Sequence, residues 1–452
     1  MNKDTICALA TPPGGALGII RVSGSETFPI VSSLCSICFD DIAGNTIHYT
    51  HIVDNNGKLI DDALVSVFRA PHSYTGEDSI EISCHGSSYI LNQILKLLVD
   101  DGCRMANPGE FTMRAYLNGK MDLAQAESVA DLIASTNRAT HQLAISQLRG
   151  GISTKLSQLR EKLLNLNSLL ELELDFSDHE DLEFADRTEL LTLAQTIENH
   201  IRHLAHTFEA GQALKQGIPV AIVGKTNVGK STLLNALLRD ERAIVSDIHG
   251  TTRDTIEDSI EINGVTFRLV DTAGIRYTND KVEQIGITRT YQAIKLARIV
   301  LWIVDELPTD AEMIDMNTRC KGKKLIIVGN KSDKGIAIPS FIFHIPHSMF
   351  LSISAKTGQG LSALELAIFD AADIPILSET DVIVTNVRHY DALLRAHDSI
   401  LRVLDGLQAQ LSGDLLAEDL RDTLMILSEI TGDQITPNEV LENIFKHFCV
   451  GK

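Results

Sequence analysis

The alternation of apolar and polar positions changes character along the chain. Up to residue 119, short runs with strand period (Leu17–Val22, Ala63–Phe68, Ser79–Ser83) sit among Gly, Pro, Ser and Thr, with one apolar helix at 89–99. That mixture predicts an α+β domain. From 120 to 214 the period becomes helical, and Leu156, Leu159, Leu163, Leu166 and Leu170 form one stripe. A stripe of this kind marks a long helix with one buried face. From 215 to 377, apolar strands at 220–223, 267–270, 299–304, 325–328 and 350–353 alternate with helical segments. This is the pattern of an α/β sheet. Residues 378–452 return to helix, with apolar positions through Leu401–Leu411 and Leu415–Ile430. The two helical stretches are expected to pack together as one discontinuous all-α domain. The α/β domain is then an insertion, which chains tolerate at surface sites where the ends lie close.

A length of 452 residues suits two or three domains, and a hydrophobic fraction of 44% is enough for ordinary cores. No run of about 18 apolar residues occurs, and the start Met1-Asn-Lys-Asp-Thr does not read as a signal peptide. Seven scattered cysteines do not resemble a disulfide framework. A cytoplasmic protein with no membrane association is expected. The formal net charge of −20 argues against a surface coated in basic residues for polyanions. Much of the acid lies between Glu171 and Glu189 and reads as a solvated helix end and loop, with a basic-faced partner as the alternative. Cys35-Ser-Ile-Cys38 and Cys84-His85 each offer half a zinc motif. Structural cysteines are the preferred reading.

The chemistry starts at Gly224-Lys-Thr-Asn-Val-Gly-Lys-Ser231, a complete phosphate-binding loop between an apolar strand and a helical segment. Gly224 and Gly229 let the backbone N–H groups wrap a phosphate, Lys230 reaches the terminal phosphates, and Ser231 offers a hydroxyl to Mg²⁺. Asn330-Lys-Ser-Asp333 follows about a hundred residues later, and Ser354-Ala-Lys356 ends a further apolar run. Guanine presents N1–H and a 2-amino group to a carboxylate such as Asp333, where adenine would present an acceptor. A buried site built for one such pattern rejects the other by roughly 10⁴-fold. Asn330 is expected on the base edge, the Lys331 stem on the ring face, and Ser354, Ala355 and Lys356 in a loop closing over the base.

Asp271-Thr-Ala-Gly274 ends a strand, with an aspartate suited to the Mg²⁺ water shell and a Gly274 N–H able to sense the γ-phosphate. Gly250-Thr-Thr-Arg-Asp254 lies in a polar loop suited to a first switch, with Thr252 as the Mg²⁺-binding threonine and Thr251 beside it. Ras-like enzymes place a glutamine after the glycine to orient water; here that position is Ile275. An alkyl group cannot hold water, so another residue must. Glu283, Asp280 and Glu257 are the acidic candidates. Arg253 and Arg276 are equally arginine fingers or ordinary surface arginines.

With these motifs in place, the chain resembles the tRNA-modification GTPase family often called MnmE or TrmE, from end to end. The resemblance is carried by Asn227–Asn235, Ile244–Asp254, Asp271–Gly274 and Val282–Gly286. At the ends of the chain it rests on Ala10–Gly14, Tyr74–Asp78, Pro108–Phe111, Leu427–Gly432 and Phe448–Lys452. The nucleotide set it implies is Asn227, Val228, Gly229, Lys230, Ser231, Thr232, Ser246, Thr251, Thr252, Asp271, Thr272, Ala273, Gly274, Asn330, Lys331, Asp333, Ser354, Ala355 and Lys356. It also implies a homodimer whose G domains meet across their nucleotide faces, with K⁺ in place of an arginine finger. Asn227, the Ser246 and Ile248 carbonyls and Thr251 would hold that ion, and Glu283 would orient water.

By the same resemblance the N-terminal domain is folate-binding-like and dimerising. It would take 5-formyl-tetrahydrofolate or a related formyl-folate at Arg21, Glu81, Lys120 and Lys452, with Cys449 functional in a role left open. A carboxylate such as Glu81 suits the pterin donors, and cations suit the glutamate tail. The implied activity adds an aminomethyl or carboxymethylaminomethyl group to C5 of the wobble uridine of tRNA. The implied partner is an FAD-carrying protein resembling the MnmG or GidA family, in a heterotetramer. A ribosome-assembly GTPase of related switch architecture and a non-enzymatic GTP-switch scaffold are the alternatives.

Overall fold

The protein is described by a computed structural model covering residues 4–175, 187–239, 258–270, 291–335, 348–374, 382–432, 438–446, 448–449 and 451. The chain divides into two compact units: 1–134 with 144–205 and 387–452, and 135–143 with 206–386.

The first unit opens with β1 Ile6–Leu9, β2 Leu17–Ser23, α1 Thr27–Leu34, β3 Thr46–Val53 and β4 Leu59–Phe68. β5 Ser79–His85, α2 Ser88–Asp100, β6 Arg104–Met105 and α3 Glu110–Leu117 follow. The strands form one sheet in the order β3-β4-β5-β2-β1-β6, antiparallel except where β6 joins β1. Alternate residues of the strands, such as Ile20, Val22, Ile80 and Ile82, bury one face with Phe28, Val31, Leu91 and Ile94 of α1 and α2.

The pattern predicted one helix in this stretch, and the structure has three. α1 carries Pro29 in its first turn, where the missing N–H costs nothing. α3 shows little apolar period because two of its buried residues, Glu110 and Arg114, are charged. They are held by charge: Arg104 reaches Glu110 at 2.6 Å, and Arg114 reaches Asp4 at 2.9 Å and Glu77 at 3.1 Å.

The helices α4 Leu123–Ala134, α5 Arg138–Leu148, α6 Gly151–Asp175 and α7 Arg187–Gln216 come next. The predicted leucine stripe of α6 is buried at every position. The α/β elements are β7 Ile218–Val223, α8 Lys230–Arg239, β8 Asp258–Ile262, β9 Val265–Val270 and β10 Ile299–Val304. They continue through α9 Asp310–Arg319, β11 Lys324–Gly329, β12 Ser348–Ser352 and α10 Leu361–Ala371. The chain then returns to helix as α11 Val387–Gln408, α12 Gly413–Thr431 and α13 Asn438–Phe445. In the first unit α12 packs on α11, α6 and α4, so the two helical stretches do form one bundle.

The second unit holds a sheet in the order β12-β11-β10-β7-β9-β8, parallel except for β8. The hairpin β8–β9 adds a strand beyond those predicted. Its turn is Asn263-Gly264, with φ of 52° and 81°, the left-handed pair that a two-residue hairpin requires. That dipeptide was a legible signal. β7 lies between β10 and β9, which places its C-terminal end at the point where connections leave to opposite sides. Ligands bind α/β sheets at such points. Among the described residues no helix is long and apolar enough to cross a membrane.

Candidate functional site

The phosphate loop leaves β7 at that point and enters α8 at Lys230. Gly224 has φ +153°, and a Cβ there would lie 2.4 Å from the Ile303 carbonyl oxygen. Gly229 has φ +100°, and its Cβ would meet Asn330 Nδ2 at 2.3 Å. Asn227, between them, is also left-handed at φ 65°. The loop therefore closes tightly enough to aim its N–H groups, with the helix dipole behind them. Lys230 Nζ donates to the carbonyls of Gly224 at 2.7 Å and Lys225 at 2.5 Å. Burial pushes its pKa down from the usual lysine range. Ser231 and Thr232 stand exposed in the first turn of α8, the position from which a hydroxyl reaches a phosphate-bound cation.

Asn330 follows β11 and is only 4% exposed. Its Nδ2 donates to the Val228 carbonyl at 2.8 Å, and its Oδ1 accepts from the Ala355 N–H at 3.0 Å. Besides the base-edge role expected from the sequence, the Asn330 amide has a bracing job, tying the phosphate loop to the Ser354–Lys356 loop. Lys331, left-handed at φ 68°, donates Nζ to the Asn227 carbonyl at 2.8 Å and pairs with the Asp305 carboxylate. Asp333 accepts from buried Ser354 Oγ at 2.7 Å through Oδ1. That bond, helped by Lys356 and Lys334, holds its carboxyl below the usual range. The carboxylate therefore stays ionised, as an acceptor for guanine donors must.

A second constellation lies in the first unit. Arg21 of β2 and Glu81 of β5 are direct cross-strand partners. Arg21 Nε and Nη2 both donate to Glu81 Oε1, at 2.9 and 2.7 Å, and Oε2 is hydrogen-bonded by nothing among the described residues. Arg21 Nη1 donates to the Gly451 carbonyl at 3.2 Å, and its guanidinium lies 5.4 and 5.5 Å from the ring centroids of Tyr74 and Phe111. Lys120 Nζ donates to the Pro71 carbonyl at 2.8 Å. The C-terminal tail is seated here: the Gly109 N–H donates to the Cys449 carbonyl at 3.4 Å, and the Cys449 side chain is exposed. Tyr74 and Phe111 belong to the motifs that carry the family resemblance, but their place beside Arg21 depends on tertiary packing.

Lys452, Ser246, Ile248, Thr251, Thr252, Arg253, Asp271, Thr272, Ala273, Gly274 and Glu283 lie outside the described residues, so their expected roles are not placed here. Neither half-motif for zinc assembles into a site. Cys84 Sγ donates to the Gly18 carbonyl at 3.7 Å, and His85 Nδ1 bonds Asp61 at 2.8 Å. Burial pushes the thiols of Cys35 and Cys84 up to about 12 and about 11, so both stay protonated. Among the described residues no group of three or more His, Cys, Asp and Glu side chains is poised to hold a metal.

Two family models match the chain: the GTP-binding protein TrmE N-terminus over residues 5–120 and the MnmE helical domain over residues 123–449. It is similar to the tRNA modification GTPase MnmE of Phocaeicola vulgatus, 52% identical over 499 residues, covering 100% of this chain and 99% of that protein. The protein of the same name from Bacteroides thetaiotaomicron is 52% identical over 468 residues, covering 100% of both chains. That of Flavobacterium johnsoniae is 50% identical over 470 residues, again covering 100% of both. A phosphate loop braced for guanine, joined to an N-terminal sheet and a helical bundle matched along their whole length, leads to one conclusion: the chain belongs to the MnmE family of tRNA modification GTPases.

Proposed function

We propose that this GTPase works as a homodimer with a flavin-dependent partner, in a heterotetramer that acts on tRNA. Together they add an aminomethyl or carboxymethylaminomethyl group to C5 of the wobble uridine. The observation that carries this reading is the gathering of Arg21, Glu81 and the tail bearing Cys449 into one place. An enzyme that only hydrolysed GTP would have no use for it.

The residues fit the groups this reading requires. Formyl-folate, when bound, supplies the one-carbon unit, while FAD on the partner supplies the redox chemistry. Arg21 is held by Glu81 Oε1 and Gly451, which leaves Glu81 Oε2 to accept from the 2-amino and N3 donors of a pterin. Lys120 and Lys452 suit the glutamate tail. At the other centre, exposed Asn227 makes no side-chain hydrogen bond among the described residues, which leaves its amide oxygen open to a cation. Asn227 would hold potassium there, and Ser231 and Thr252 would hold Mg²⁺; when bound, the two ions would supply positive charge where phosphoryl transfer develops negative charge. Ile275 leaves the water to be oriented by Glu283, and G-domain closure then gates the folate end.

Nucleoside analysis of wobble uridines in cells with and without this protein tests the reading. Loss of the C5 substituent on deletion is expected; unaltered uridines with defective ribosomal subunits would instead favour the ribosome-assembly alternative. Gly451→Ala sharpens the test. Its φ is +92°, and an added Cβ would lie 2.0 Å from the Leu9 carbonyl oxygen, a backbone atom that cannot step aside. The tail then lifts off Arg21. Modification should fall at least about tenfold while GTP turnover holds within about twofold, since losing one charge-assisted bond is worth about that factor. Full modification by this variant would remove the tail from the proposed site.

A further inference from the structure

We infer that Asp305 is a positioning residue for GTP hydrolysis: it holds Lys331 on the phosphate loop and so fixes Asn227 for its cation. The inference rests on the potassium reading of Asn227. Asp305 comes directly after β10, the strand against which Gly224 closes. Its carboxylate is about three-quarters buried and pairs with the equally sheltered Lys331 ammonium. That ammonium donates to the carbonyl of Asn227 at 2.8 Å.

Asn227 needs the restraint. A left-handed φ costs a non-glycine residue energy, though asparagine least, and such a conformation persists only where its surroundings over-determine it. The neighbouring loop residue is already braced, because Asn330 holds the Val228 carbonyl. The Lys331 ammonium does the same for Asn227, and it stays there because Asp305 both neutralises and aims it. Without Asp305 the flexible lysine stem returns to water and the Asn227 peptide is free to turn. The side-chain amide oxygen then no longer points consistently at the cation.

A second acid, Glu306, lies beside Asp305 but grips a different residue: it reaches Lys225 at 3.0 Å, and Glu312 shares that lysine at 3.0 Å. Glu306→Gln therefore removes a neighbouring charge without touching Lys331 and separates general charge from positioning.

The test is GTP turnover by the full chain as KCl is titrated at constant ionic strength. For Asp305→Asn the half-saturating K⁺ concentration should rise about tenfold, the factor carried by one charge-assisted hydrogen bond. The rate at saturating K⁺ should stay within about twofold, Asp305→Glu should recover part of the shift, and Glu306→Gln should show none. An unchanged half-saturating concentration, or a rate lowered equally at every K⁺ concentration, overturns the inference. If the native chain turns over equally in Na⁺ and K⁺, the potassium reading itself fails. The rate of fluorescent GDP release in Na⁺ then decides for Asp305: about tenfold faster release from Asp305→Asn keeps its grip on the loop, and unchanged release removes it.

Discussion

Gly224→Ala should abolish useful GTP binding while leaving the protein folded. The new methyl group would lie 2.4 Å from the Ile303 carbonyl oxygen and 3.1 Å from Val228 Cγ2, on a backbone at φ +153°. The oxygen cannot retreat, because β10 is paired on both sides, with β7 and β11. The loop must move instead, and its N–H groups leave the phosphate together. Strain of this kind costs on the order of 1–3 kcal/mol, and lost phosphate bonds add to it. Affinity for a fluorescent GTP analogue should fall at least about 30-fold. Gly322→Ala is the control: its φ is +79°, but nothing lies within 4 Å of the added carbon. It should bind nucleotide normally with a slightly lower Tm. Affinity within about threefold of native for Gly224→Ala would show that the loop is not held as described.

Glu127→Ala should destabilise the first unit by about 3–5 kcal/mol, the usual cost of breaking a buried ion pair from one side. Glu127 of α4 accepts from Arg388 Nε and Nη2, each at 2.9 Å, and bonds His389 Nε2 at 2.7 Å. Arg388 also donates to the carbonyls of Glu429 at 2.5 Å and Ile430 at 3.0 Å, near the end of α12. The Glu127–Arg388 pair thus joins three helices. Without the Glu127 carboxylate, a mostly buried guanidinium loses its counter-ion and a histidine 2% exposed loses its carboxylate partner. Thermal unfolding of the variant against native protein measures the loss, and a Tm within about 1 °C would refute the role.

The same group makes a pH prediction. Burial alone would raise the Glu127 pKa, but hydrogen bonds from His389 and Arg388 outweigh it and hold the carboxyl at about 2, against 4.5 ordinarily. A depressed folded-state pKa contributes stability that is complete above the unfolded value and is lost as pH falls through the folded one. The contribution, about 3 kcal/mol, should therefore disappear between roughly pH 4.5 and 2. Glu127→Gln cannot titrate and should flatten the acid limb of the stability curve. Identical acid limbs for both proteins would exclude Glu127 as its source.

What was legible in the sequence follows the range of the interactions involved. The phosphate loop, Asp333 and the predicted strands were readable because each depends on neighbours within a few residues: a glycine where φ must be positive, an apolar run where a strand is buried. The hairpin turn Asn263-Gly264 is equally local, but its strand β8 is short and half polar and gives little strand pattern of its own. α3 was hidden for another reason: charged Glu110 and Arg114 share its buried positions with Phe111 and Ala115 and mask the apolar period.

By itself the sequence determined a guanine-nucleotide machine without the usual glutamine, attached to further domains. Only the tertiary structure decided that Arg21 shares one oxygen of Glu81 and holds the C-terminal tail, residues 60 and 430 positions apart along the chain. Only there does Asn330 become a brace between loops and Asp305 the anchor of Lys331. These pairings join side chains across strands and loops. A linear pattern records which side chains are present, but strand register and burial choose which of them meet.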